Sequence, residues 1–125
     1  MKITGKIVKG VGESAGFMSI PWVGKQMREK LGFQPYGGTL NILVEGPDIQ
    51  RYLKVHGGDR LRSEVSGFCD ALIFRGMIAD KYNCGVVLPL VPNYDEFLLE
   101  ILAPVHLKGS LGLKDGDEVT LELYL

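Results

Sequence analysis

The chain has 125 residues, a formal net charge of −1 at pH 7, 46% apolar residues and 23% charged ones. That length suits one domain spanning residues 1–125, with a core that needs neither metal nor disulfide staples. A near-neutral balance argues against nucleic acid held by a broad basic footprint, and no apolar run reaches the length that spans a bilayer.

The N-terminus begins directly as a strand, Lys2 to Lys9, partly β-branched and closed by Gly10, with no apolar leader before it. Val11-Gly12-Glu13-Ser14-Ala15-Gly16 follows, too rich in glycine for regular structure. Gly5 and Gly10 have the spacing of a P-loop, but Val11 and Gly12 stand where its lysine and hydroxyl residue belong. Gly10-x-Gly12-x-x-Ala15 matches a loose dinucleotide fingerprint, yet no helix opens at its end. Two readings remain: a loop whose successive backbone N–H groups cradle a phosphate or nucleotide, and a glycine hairpin with no ligand.

Phe17 to Ile20 reads as extended. Pro21 then has the φ favoured at a first helical position, and Val23, Met27 and Leu31 follow at four-residue steps, which predicts a helix over 21–31 capped by Gly32. A Pro35-Tyr36-Gly37-Gly38 turn leads into a strand at 40–45, where Thr39 and Asn41 stand two residues apart. In an extended chain such neighbours share a face. A hydroxyl oxygen and an amide carbonyl would stand side by side, hard ligands of the kind Mg²⁺ accepts beside phosphate and water. The plainer reading is two polar residues on a half-buried strand.

A short helix is expected over 48–55 with Ile49 and Leu53 on one face, a turn at 57–59, and strands at 68–77 and 83–88. Pro89 to Asn93 breaks the chain before a further strand at 97–102. There Glu100 shares a face with Leu98 and Leu102. A charge so placed must be paired, bound to a ligand or poorly buried. It either hydrogen-bonds a substrate hydroxyl and accepts its proton, or pairs with an arginine. Residues 103–108 begin a helical turn with Leu107 and Leu111 inward. His106 and Lys108 there could meet a nucleotide base or phosphate, or form solvated pairs. A tight turn at 113–117 and a strand at 118–125 close the chain. Cys69 and Cys84 lack metal-ligand spacing, and a soluble cytoplasmic protein is expected. Six or so strands without a βαβ rhythm make the fold mainly β, a compact, largely antiparallel barrel with two or three short helices.

Several blocks in this order carry a resemblance. They are Gly10-Val11-Gly12-Glu13 with Phe17 and Pro21, and Leu31-Gly32-Phe33-Gln34-Pro35-Tyr36-Gly37-Gly38-Thr39-Leu40-Asn41. Later come Cys84 to Pro89, Glu100-Ile101-Leu102-Ala103-Pro104, and Leu111 to Asp117. Along nearly its whole length the chain resembles the archaeal CTP-dependent riboflavin kinases. The resemblance implies a small closed six-stranded cradle-loop β-barrel that moves the γ-phosphate of CTP to riboflavin to give FMN and CDP; a monomer is expected. It implies that Val11, Gly12, Glu13, Ser14, Ala15 and Gly16, with Val105, His106, Leu107 and Lys108, hold the nucleotide. Thr39 and Asn41 would ligate Mg²⁺, and Glu100 would contact the flavin's ribityl end. The family's loop has glycine and a basic residue where this chain has Ser14 and Ala15. Its flavin-contacting segment has arginine at Leu88 and threonine at Pro92, and proline has no N–H to donate. These departures motivate a second expectation, a barrel that binds nucleotide or flavin without transfer, or a kinase for another acceptor. A third, a swapped-hairpin DNA-binding barrel, rests on the Leu-Lys-Asp-Gly-Asp turn alone.

Overall fold

Alternation at period two decides which face each strand buries. The computed structural model, which describes residues 1–10 and 19–125, contains seven strands: β1 (Lys2–Val8), β2 (Leu40–Leu43), β3 (Asp59–Leu61), β4 (Ala71–Ile78), β5 (Tyr82–Pro89), β6 (Leu98–Leu102) and β7 (Glu118–Tyr124). Three helices accompany them, α1 (Pro21–Leu31), α2 (Asp48–His56) and α3 (Leu107–Leu111). Every pairing between strands is antiparallel.

Six strands close a barrel in the order β4-β5-β6-β2-β1-β7, and β7 returns to β4. One edge of β4 makes the closure: β3 takes residues 71–73 and β7 takes 75–78. At Gly76 the two chains approach so closely that a Cβ would strike the Glu122 carbonyl. Inside the barrel lie Ile3 and Ile7, Leu40 and Ile42, Phe74 and Ile78, Cys84, Val86 and Leu88, Leu99 and Ile101, and Val119, Leu121 and Leu123. Each set follows its strand's alternate positions.

A second cluster sits on the outside. Val23, Met27 and Leu31 of α1 pack on Leu61, Ala71, Ile73, Val87 and Leu102. The helix has the expected bounds and face, and Gly32 caps it at φ 78°. Its cover explains why β5 reads as a nearly unbroken apolar run, buried on both faces, whereas on the outer face of β6 it covers Leu102 and leaves Leu98 and Glu100 half-buried.

Some expectations need correcting. Ser19 lies in a turn rather than extended chain, Ile20 has the expected extended backbone (φ −68°, ψ 126°) as it leads into α1, and Phe17 and Met18 lie outside the described residues. Asp59, expected in a turn, opens the short strand β3 against Ile73, Leu72 and Ala71. Residues 68–70 precede β4 rather than starting it, because Asp70 folds back on the preceding loop. Its carboxylate accepts from Arg60 Nε at 2.8 Å and from the Ser63 N–H at 2.8 Å. The helical turn expected at 103–108 begins only at Leu107.

Candidate active site

The outer face of β2 and β6 carries the chemistry. Alternation sends Leu40 and Ile42 inward, so Asn41 faces out beside Thr39, the residue just before the strand. The Thr39 hydroxyl donates to Asn41 Oδ1 at 2.7 Å, which puts the two oxygens side by side. Asn41 is 8% exposed, and its register partners are Val8 on β1 and Glu100 on β6. Directly opposed side chains on one face of a ladder lie about 5 Å apart at Cβ, so the amide and the carboxylate are neighbours.

Gly10 completes this corner. A Cβ there would stand 2.7 Å from Asn41 Nδ2, so only glycine lets the amide lie against the chain as it leaves β1. The expected nucleotide loop, Val11 to Gly16 including Ser14 and Ala15, lies outside the described residues. Its entry point at Gly10 therefore touches the Thr39–Asn41 pair.

Glu100 is half-buried, between Asn41 on one side and Val87 of β5 on the other. Its partner is the Tyr94 phenol, which donates to Oε2 at 2.6 Å. Among the described residues no ion pair includes Glu100, so the arginine pairing left open by the sequence does not form. Burial pushes the Tyr94 phenol well above the ordinary tyrosine range, and the adjacent Glu100 carboxylate pushes it further. It remains a donor at every working pH.

A cleft of about 310 Å³ opens beside this face, within the size range of small-molecule sites. Tyr36, Gly37, Gly38 and Thr39 line one wall, and Val105, His106, Leu107 and Lys108 line the other. The Tyr36 N–H donates to the Ala103 carbonyl at 2.8 Å and ties the walls together. The Tyr36 and His106 rings lie 5.2 Å apart at their centroids, tilted by 40°. Lys108 Nζ, the cation on that wall, pairs with Asp115 at 2.6 Å. All four expected nucleotide residues of this segment therefore meet Thr39 in one cleft.

Leu88 lies fully buried inside the barrel, and Pro92 is exposed on the loop between β5 and β6. Neither presents a polar side chain to the Glu100 face. Among the described residues no three His, Cys, Asp or Glu side chains cluster to hold a metal. The oxygens that suit a hard cation are the Thr39 hydroxyl and the Asn41 amide oxygen, which lie side by side.

Sequence reasoning missed two residues here, Tyr94 and Gln50. Gln50 is 1% exposed, and its amide donates to the carbonyls of Asp95 at 2.7 Å and Leu98 at 2.5 Å. Helical spacing could have found it, since Gln50 stands three residues before Leu53 on the buried face. Tyr94 carries no such signal, because its contact depends on how the loop returns.

The architecture and this face define a small closed antiparallel β-barrel with a ligand-sized cleft beside an outward cluster of oxygen groups. The sequence model of one family, named for the CTP-dependent riboflavin kinases and described as "Domain of unknown function DUF120", matches residues 7–123. The riboflavin kinase of Pyrobaculum calidifontis is 37% identical over 130 aligned residues, covering all of this chain and 61% of that protein. That of Archaeoglobus fulgidus is 36% identical over 130 residues, covering all of this chain and 55% of the relative. That of Methanothermobacter thermautotrophicus is 36% identical over 114 residues, covering 91% of this chain and 92% of the relative. The chain spans 55% to 61% of the length of the first two, and nearly all of the third. The chain belongs to the CTP-dependent riboflavin kinase family.

Proposed function

We propose that this chain transfers the γ-phosphate of CTP to the terminal ribityl hydroxyl of riboflavin, giving FMN and CDP. One observation carries the reading. The Thr39–Asn41 oxygen pair, the Glu100 carboxylate and the exit of β1 at Gly10 meet on one outer face of the barrel. Family membership and the names of the relatives support the substrates.

In phosphoryl transfer a protein mostly positions the reactants and neutralises charge. Residues 11–16, with the cleft walls at 36–39 and 105–108, would hold the nucleotide. Thr39 and Asn41 would hold Mg²⁺, which when bound neutralises charge on the triphosphate. Glu100 would accept a hydrogen bond from the riboflavin hydroxyl and orient its oxygen toward the γ-phosphorus. A new O–P bond then forms, the bond to the β-phosphate oxygen breaks, the hydroxyl proton passes to the Glu100 carboxylate and on to solvent, and CDP leaves.

Incubating the protein with CTP, Mg²⁺ and riboflavin and separating the products by chromatography tests this. FMN and CDP in equal amounts are expected. Flavin or nucleotide binding without FMN would favour the non-transferring barrel, a reading motivated by Ser14, Ala15 and Pro92.

A further inference from the structure

We propose that Tyr94 positions Glu100, fixing its carboxylate so that one oxygen stays available to the acceptor hydroxyl. The inference rests on the kinase reading above. A carboxylate has two oxygens and several lone pairs. The Tyr94 phenol occupies Oε2 at 2.6 Å, a short charge-assisted contact. Oε1 is left for an incoming donor on the face shared with Asn41.

The phenol is itself held in place from behind. Tyr94 packs against the end of the barrel core. The loop that carries it is pinned to α2 by Gln50, through the Asp95 and Leu98 carbonyls. The Asp95 carboxylate accepts from the Phe97 N–H at 2.9 Å, and the Val44 N–H donates to the Phe97 carbonyl at 2.8 Å. Pro92, two residues earlier, offers no donor of its own. Tyr94 therefore supplies the hydroxyl that this loop presents to Glu100. A fixed acceptor at the reacting oxygen matters because small misplacements there are costly in rate.

Tyr94→Phe keeps the ring and removes only the hydroxyl. It is expected to lower kcat about tenfold while leaving the KM for CTP near the wild-type value. Riboflavin affinity, read by quenching of flavin fluorescence, separates positioning from loop stapling. Tyr94→Phe should weaken binding in the wild-type background and add nothing in a Glu100→Ala background, where no acceptor for the phenol remains, the non-additivity of residues acting as a unit. Equal losses in both backgrounds, or no loss in either, would overturn the proposal. Wild-type protein that binds riboflavin but makes no FMN would sink the kinase reading alone, and the binding cycle would still decide the role of Tyr94. A wild-type chain that binds no riboflavin overturns both.

Discussion

Asn41 shows how much can converge on one side chain. Its backbone pairs with β1 and β6, its Oδ1 accepts the Thr39 hydroxyl, and its Nδ2 occupies the room Gly10 leaves. The pairing of Thr39 with Asn41 was legible from spacing alone, because strand alternation is independent of context. That Glu100 stands opposite was not legible, since register is set by the closed barrel and residues 41 and 100 lie far apart in sequence. Cys84 offers a separate test at this scale. It is buried in the barrel core, whereas Cys69 is exposed. Burial pushes the Cys84 thiol up to about 12 from an ordinary value of 9.0. A raised pKa favours the neutral form, so this contribution to stability is intact below pH 9.0 and lost as pH rises toward 12. With a thiol reagent near pH 8, where thiolates react, Cys69 should label at once and Cys84 only as the chain unfolds. Equally fast labelling of both would contradict a sealed barrel.

At the scale of elements, α1 was readable to the residue because three signals agreed: proline at its start, Val23, Met27 and Leu31 at helical spacing, and glycine at its end. β3 was not, since Asp59-Arg60-Leu61 is too short and too polar to announce a strand and forms only by pairing with β4. The contact between α2 and the loop before β6 allows a comparison of two polar links. Gln50 is buried with two backbone carbonyls as partners, whereas Arg51 and Glu96 pair across 3.1 Å in largely exposed positions. Removing a buried donor strands its acceptors, at about 1–3 kcal/mol. An exposed ion pair contributes about 0–1 kcal/mol. Gln50→Ala should therefore lower the stability read from a denaturant midpoint well below that of Arg51→Ala. The reverse order would show that the buried amide is not what holds the loop.

Across the whole molecule, the six barrel strands and the antiparallel habit were legible, because the apolar period of each could be read locally. The closed barrel was expected from the family resemblance, but the pairing that closes it was not legible, since it depends on β4 sharing one edge between β3 and β7. Closing the barrel sets β2 beside β6, and so sets the Thr39–Asn41 pair beside Glu100. No described helix is long and apolar enough to cross a membrane. The central claim, that this pair seats the metal-bound triphosphate, is tested most directly by comparing kcat of Asn41→Ala with wild type at saturating Mg²⁺. A fall of about a hundredfold or more, with the melting temperature little changed, is the predicted result. An unchanged kcat would contradict it.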